Sequence, residues 1–231
     1  MKVDIGIIGA MSVEVDALIG MLEDRCEETV SGIKFNTGSL FGKKIVVARC
    51  GVGKVFAAIC AEAMILRYSP SLVVNTGVGG AIAKDLRPTD TVIAESLLQH
   101  DMDTSPIGDP KGLISGINKI YFDADARAVS ILKSAAERLG LRARGGRIAS
   151  GDKFVADKID KVRISADFAA DVCEMEGAAI AHTAFVNDTP FAVIRAISDS
   201  ADGSANMDYM EFLPVAAKNS ASLALELIKE W

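Results

Sequence analysis

Three carboxylates stand where chemistry is to be expected. Glu14 follows the first apolar run, Glu176 lies in Cys173-Glu174-Met175-Glu176-Gly177, and Asp199 closes the apolar run 191–199. Each falls where a predicted strand ends. Such a strand aims a solvation-hungry group at one rim of a sheet, and in open α/β sheets that carboxyl rim is where ligands bind. Taken singly, an Asp after a strand is a cap or turn residue, and a Glu at a helix start is a partner for the helix dipole. Together they suggest chemistry and not packing alone.

The elements that must position them read as alternating strands and helices. Strands are expected at 3–8, 33–40, 44–48, 72–75, 91–94, 147–150, around Val172, and at 191–199. The pair 33–40 and 44–48 reads as a hairpin turning at Phe41-Gly42-Lys43. Helices are expected at 13–22, 52–66, 124–139, 158–168 and 177–186, with a last one running to Trp231. Asp208 with Glu211 resembles a capping arrangement, and Pro214 implies a kink or restart. The segment 52–66 is apolar on nearly all sides, as for a helix buried between the sheet and a further surface, such as another subunit. The stretch 99–118, rich in Asp, Gly, Pro and Ser, is the one long loop, and loops of that length usually serve a site. Without a repeat, linker or composition break, the pattern predicts a single domain, 1–231. Its fold class is α/β, a three-layer α/β/α sandwich, and the hairpin makes the central sheet mixed.

With 231 residues, 50% of them apolar, the chain is long enough to bury about three quarters of its unfolded surface. The net charge is −6 and the 25 Lys and Arg residues form no run, so no footprint for nucleic acid or an anionic membrane is visible. Cys26, Cys50, Cys60 and Cys173 make no C-x-x-C pair and read as reduced thiols, which places the chain in the cytoplasm. The opening apolar run is short and is interrupted by Asp4. It reads as a buried first strand, not a secretory leader.

Neither Gly51-Val52-Gly53-Lys54 nor Gly77-Val78-Gly79-Gly80 completes a nucleotide-phosphate motif, so both read first as tight strand-to-helix turns. Gly77 to Gly80 keep a second reading as a site lining, because glycine lets backbone approach a ligand closely. His100 beside Asp101 and Asp103 offers too few soft ligands for a metal; His100 is expected to hydrogen-bond in its loop and His182 to be a satisfied near-core histidine.

Gly6-Ile7-Ile8-Gly9-Ala10-Met11 with Glu14 combines, in order, with Asn75-Thr76-Gly77, Ser150-Gly151-Asp152-Lys153-Phe154, Glu174-Met175-Glu176 and Arg195-Ala196-Ile197-Ser198-Asp199. So arranged, the chain closely resembles the bacterial 5′-methylthioadenosine/S-adenosylhomocysteine nucleosidases, over its whole length. The resemblance implies a nucleoside phosphorylase/hydrolase-like fold, hydrolysis of the bond between adenine and the ribosyl carbon, no metal or organic cofactor, and a homodimer. It implies Asp199 as the acid for the leaving purine, oriented by Ser198. Such an acid must keep its proton well above the ordinary carboxylate range, for which desolvation beside Ile197 is the expected source. Glu14 would stay ionised and take a proton from water, and Glu176 would accept the ribose hydroxyls. By the same resemblance, Phe154 stacks on adenine, Val155 reads its edge, Met11 and Met175 line the substrate, and Arg195 organises the acidic cluster. Taken alone, Phe154 and Met175 would be core residues.

Two departures mark this chain. Val78 stands where the family usually has a polar residue near the attacking water. In the loop that closes over the 5′ substituent, Ile107 replaces a common aromatic and leaves Tyr209 as the main aromatic cover. A phosphorylase of the same superfamily would carry an Arg and a Ser where Asn75 and Val78 stand; losing a charged anion contact removes about 1.5–3 kcal/mol, which favours water over phosphate. A futalosine-type hydrolase is a second rival. A non-catalytic nucleoside-binding relative is a third, and would be expected to lose Glu14 or Asp199.

Overall fold

β-branched runs too short for helices form the parallel centre of one mixed sheet in the computed structural model, which describes residues 2–199 and 205–231. Strands β1 (Ile5–Gly9), β4 (Lys43–Arg49), β5 (Leu72–Ala81) and β10 (Phe191–Asp199) lie side by side in the order β4-β1-β5-β10, all parallel. β1, β5 and β10 are buried at every position, as expected of strands covered on both faces. Beyond β4, the strands β3 (Ile33–Leu40) and β2 (Glu23–Val30) continue the sheet antiparallel. The hairpin forms where expected. β2 is an exposed, largely polar edge strand with no apolar period, which is why sequence pattern does not announce it.

The other side of the sheet closes on itself. β10 pairs with β6 (Thr91–Gln99), β6 with β8 (Ala143–Ser150), β8 with β9 (Val172–Glu174), and β9 with β5, completing a ring through the β5–β10 pair. A two-residue strand, β7 (Phe122–Asp123), pairs with β6. Where a turn is expected after 72–75, β5 continues through Gly77, Gly79 and Gly80 to reach β9. A Cβ on Gly79 would stand 2.6 Å from Val172, so the side-chain-free backbone is what lets β9 approach.

Helices α1 (Ser12–Gly20), α3 (Ala126–Arg138) and α6 (Ala205–Glu230) cover one face, packing Val15, Leu18, Leu132, Leu223 and Leu227 against the inward side chains of the central strands. Helices α2 (Lys54–Tyr68) and α5 (Gly177–Val186) cover the other through Cys60, Met64 and Ile180. Helix α4 (Lys158–Phe168) closes the end of the ring with Ile164 and Phe168, and Asp157 caps it by accepting from the Ile159 amide. The three-layer arrangement with a mixed sheet is as the sequence implies. α6 continues through Pro214 with no restart; the buried Ala216, Ala217 and Ser220 just beyond hold it to the sheet, and packing outweighs one lost backbone bond. The side chain of Asp208, expected to cap this helix, lies outside the described residues. Among the described residues no helix is long and apolar enough to cross a membrane.

Candidate active site

Glu14, Glu176 and Asp199 line a single cavity at the carboxyl ends of the parallel strands. Met11, Val78, Phe154, Val155, Met175, Ser198 and Tyr209 line it too, so most of the residues singled out from sequence meet there. Ile107 does not. It sits in a short turn at Ser105–Ile107, 82% exposed, and does not line this cavity. Arg195 also does not line the cavity; it lies fully buried beneath the floor.

Glu14 reaches the cavity from the first turn of α1 and accepts three backbone N–H groups. Ala10 and Met11 donate to Oε2 at 2.7 and 2.9 Å, and Val78 donates to Oε1 at 3.2 Å. Val78 lacks a polar side chain, but its backbone fixes the carboxylate. Burial pushes Glu14 up, against the pull of Arg195 and the three amides. β5 is glycine at two places that matter: a Cβ on Gly77 would stand 2.6 Å from Glu14 Oε1, and one on Gly80 would stand 2.9 Å from Asp199 Oδ2. The site-lining reading of these glycines is the one the geometry supports.

Glu176 sits at the N-terminus of α5 and accepts from the Gly53 amide at 2.9 Å. The turn 51–53 is the strand-to-helix turn expected from sequence, with φ of 95° at Gly51 and 103° at Gly53, a region that favours glycine. Burial, and then the neighbouring Glu174, raise Glu176 to about 7. The floor beneath is polar and dense. Arg195 Nε donates to Glu174 at 3.0 Å, Nη2 bonds Glu174 and Asn75, and Glu176 Oε2 lies 3.9 Å away. Glu174 also accepts from Ser150 Oγ and from the amides of Glu176 and Gly177. Asn75 Nδ2 donates to the Ile8 carbonyl, so this side chain is committed to the floor and not to the cavity. Burial opposes the Arg195 charge, yet Glu174, Glu176 and Glu14 outweigh it and hold the guanidinium above its ordinary range. The expected organising role of Arg195 thus has a geometric basis, exerted from below.

Asp199 departs from expectation. Ser198 Oγ donates to Oδ1 at 3.0 Å, as foreseen, but Lys161 Nζ donates to Oδ2 at 3.0 Å, both side chains being 2% exposed. Where only apolar surroundings at Ile197 were expected, the Asp199 carboxylate faces a buried ammonium. Sequence reading missed Lys161, although Lys161, Ile164 and Phe168 share the helical spacing of one buried face. It also left Glu174 without a role, although a second acid two residues before Glu176 was visible. Phe154 is half-exposed at the cavity mouth, with its ring edge-on to Tyr209 at 5.6 Å, and the Tyr209 hydroxyl donates to Met11 Sδ at 3.4 Å. His100 leaves Nε2 buried with no hydrogen-bond partner among the described residues, contrary to the expected loop bond. His182 stacks on Phe122 at 5.2 Å, as a near-core histidine does. No group of three or more His, Cys, Asp or Glu among the described residues is placed to hold a metal ion.

The raised Glu176 makes a testable link to stability. A carboxyl that titrates near 7 when folded, against 4.5 when unfolded, binds its proton more tightly in the folded state. Wild-type stability therefore falls as pH rises through that window, by about 3 kcal/mol for this group. Glu176→Gln is expected to raise Tm relative to wild type at about pH 8 and to lose that advantage near about pH 5. Thermal melts of the ligand-free protein across this range check the sign.

Comparison with known proteins places this geometry. The model for the phosphorylase superfamily matches residues 4–229. A 5′-methylthioadenosine/S-adenosylhomocysteine nucleosidase of Haemophilus influenzae is 40% identical, covering 97% of this chain and 98% of its own. The enzyme of that name from Neisseria meningitidis, solved in complex with methylthio-immucillin-A, has a TM-score of 0.95 at 35% identity, with 99% of both chains covered. Futalosine hydrolase of Helicobacter pylori has a TM-score of 0.94 at 34% identity, covering 99% of this chain and 98% of that one. With likeness running the length of the chain in both sequence and fold, the chain belongs to the phosphorylase superfamily, in its branch of 5′-methylthioadenosine/S-adenosylhomocysteine nucleosidases.

Proposed function

We propose that the protein hydrolyses the N-glycosidic bond of 5′-methylthioadenosine, S-adenosylhomocysteine or 5′-deoxyadenosine and releases adenine. The observation that carries this reading is the meeting of Glu14, Glu176 and Asp199 in one cavity. Breaking the bond leaves positive charge on the sugar and negative charge on the base, so stabilisation is needed at both ends. Asp199 gives a proton to a ring nitrogen of the departing adenine. Glu14 takes a proton from the attacking water, whose oxygen bonds to the ribosyl carbon. Glu176, ionised above about 7, accepts the ribose hydroxyls, and Phe154 stacks on the base with Val155 at its edge. The attacking water is placed beside Glu14, whose carboxylate the Val78 amide holds, and an anionic phosphate there would meet that carboxylate.

Glu14→Gln and Asp199→Asn are each expected to lower turnover at least ~100-fold. Adenine release from methylthioadenosine should be unchanged by added phosphate. Strict phosphate dependence would make the protein a phosphorylase, faster turnover of futalosine would make it a futalosine hydrolase, and tight binding without turnover would make it a binding protein. Gly77→Ala places a methyl against Glu14 and is expected to cost up to ~100-fold in kcat while the protein still melts cooperatively.

The reading includes a homodimer. Val55, Phe56, Ile59 and Leu66 of α2 and Phe185 and Val186 of α5 are between 41% and 70% exposed, an apolar face larger than a lone chain favours. A concavity of about 1000 Å³ lies on this face, apart from the carboxylates. A second chain seated there buries it, and its loop 99–118 offers Ile107 to the neighbouring cavity. Sedimentation at micromolar concentration is expected to give a dimer, and Leu66→Asp a monomer.

A further inference from the structure

The Lys161–Asp199 pair is a buried ion pair at the site where the reaction needs a protonated acid. Its surroundings admit no screening by solvent: both side chains are 2% exposed, at a separation of 3.0 Å. The other groups facing Asp199 do not replace the ammonium. From β10 itself comes the Ser198 hydroxyl, and β5 offers only backbone at Gly79 and Gly80. From β9 come Cys173, whose thiol burial pushes up to about 12, and Glu174, which is engaged by Arg195. From α6 comes the Tyr209 phenol, likewise raised by burial, and Lys153, also at the cavity, is paired with Asp160. Of these neighbours, Lys161 is the cation in direct contact with the acid.

We infer that Lys161 is a positioning residue for the acid: its ammonium grips Oδ2 of Asp199 and yields it to an entering purine nucleoside, coupling nucleoside binding to proton uptake. This rests on Asp199 being the acid in the proposed reaction. The proton balance is simple. Lys161 keeps its three protons throughout, and Asp199 takes one proton from solvent as the base enters and passes it to the purine ring nitrogen. Water's proton leaves through Glu14, so both carboxyl groups return to their starting states after one turnover. The segment carrying Phe154 and Val155 runs directly into α4, so a base seated against those residues touches the segment that carries Lys161.

Two measurements test the inference. In calorimetry of methylthioadenosine binding to the slow Glu14→Gln enzyme at about pH 8, repeated in buffers of different ionisation enthalpy, uptake of close to one proton per site is expected while the nucleoside is uncleaved. In the pH profile of kcat/KM, Lys161→Gln is expected to move the basic limb upward by at least about one pH unit, while Lys161→Arg, which keeps the charge, leaves it near the wild-type position. Absence of proton uptake on nucleoside binding overturns the inference, and so does a folded Lys161→Gln enzyme with an unmoved basic limb. If Lys161→Gln does not fold, the proton uptake on nucleoside binding decides alone. Asp199→Asn separates this from the reading beneath it. An active Asp199→Asn enzyme removes Asp199 as the acid, whereas an inactive one, with no proton uptake on nucleoside binding, removes only the role of Lys161.

Discussion

A guanidinium with almost no solvent exposure underlies the whole rim of carboxylates. Arg195 is carried inward by β10, the strand that also ends in Asp199, and it gathers Glu174, Asn75 and the near oxygen of Glu176 from β9, β5 and the start of α5. Burying one charge of that kind without partners is prohibitive, and breaking one side of a buried pair costs about 3–5 kcal/mol. The strands that meet at the site are therefore held to one another by charge as well as by the backbone ladder. The same cation moderates the repulsion among Glu14, Glu174 and Glu176, which otherwise would not share so small a volume.

Above this floor, the upper groups differ in what surrounds them. Glu14 is held by amides and opposed by burial, Glu176 by one amide and a like charge, and Asp199 by an ammonium and a hydroxyl. Three carboxyl groups of similar intrinsic acidity are thus given three different sets of partners, and the proposed reaction asks a different task of each. Space is as important as charge. The glycines of β5 leave room beside two of the three acids, and a single methyl would close it.

Much of this was legible in the chain because apolar runs ended in acids. The strands Ile33–Leu40 and Phe191–Asp199 and the helices Lys158–Phe168 and Gly177–Val186 fall where periodicity places them. What was not legible depends on contacts far apart in sequence. β2 has no apolar face to reveal it. The passage of β5 through its glycines is decided by β9, nearly a hundred residues on. Lys161 reads as a surface lysine until Asp199 is brought to it, and Ile107 reads as a cavity residue although its own chain carries it outward.

One bond links Glu176 to the outer surface. The Gly53 amide that holds Glu176 stands at the start of α2, and the opposite side of that helix is the apolar face left open on a single chain. Whatever seats against α2 therefore bears on the position of its first peptide, and with it on the contact to Glu176 in the cavity. If the proposed dimer forms on this face, diluting it to single chains would loosen that contact before it melted the protein, so affinity for nucleoside would depend on enzyme concentration.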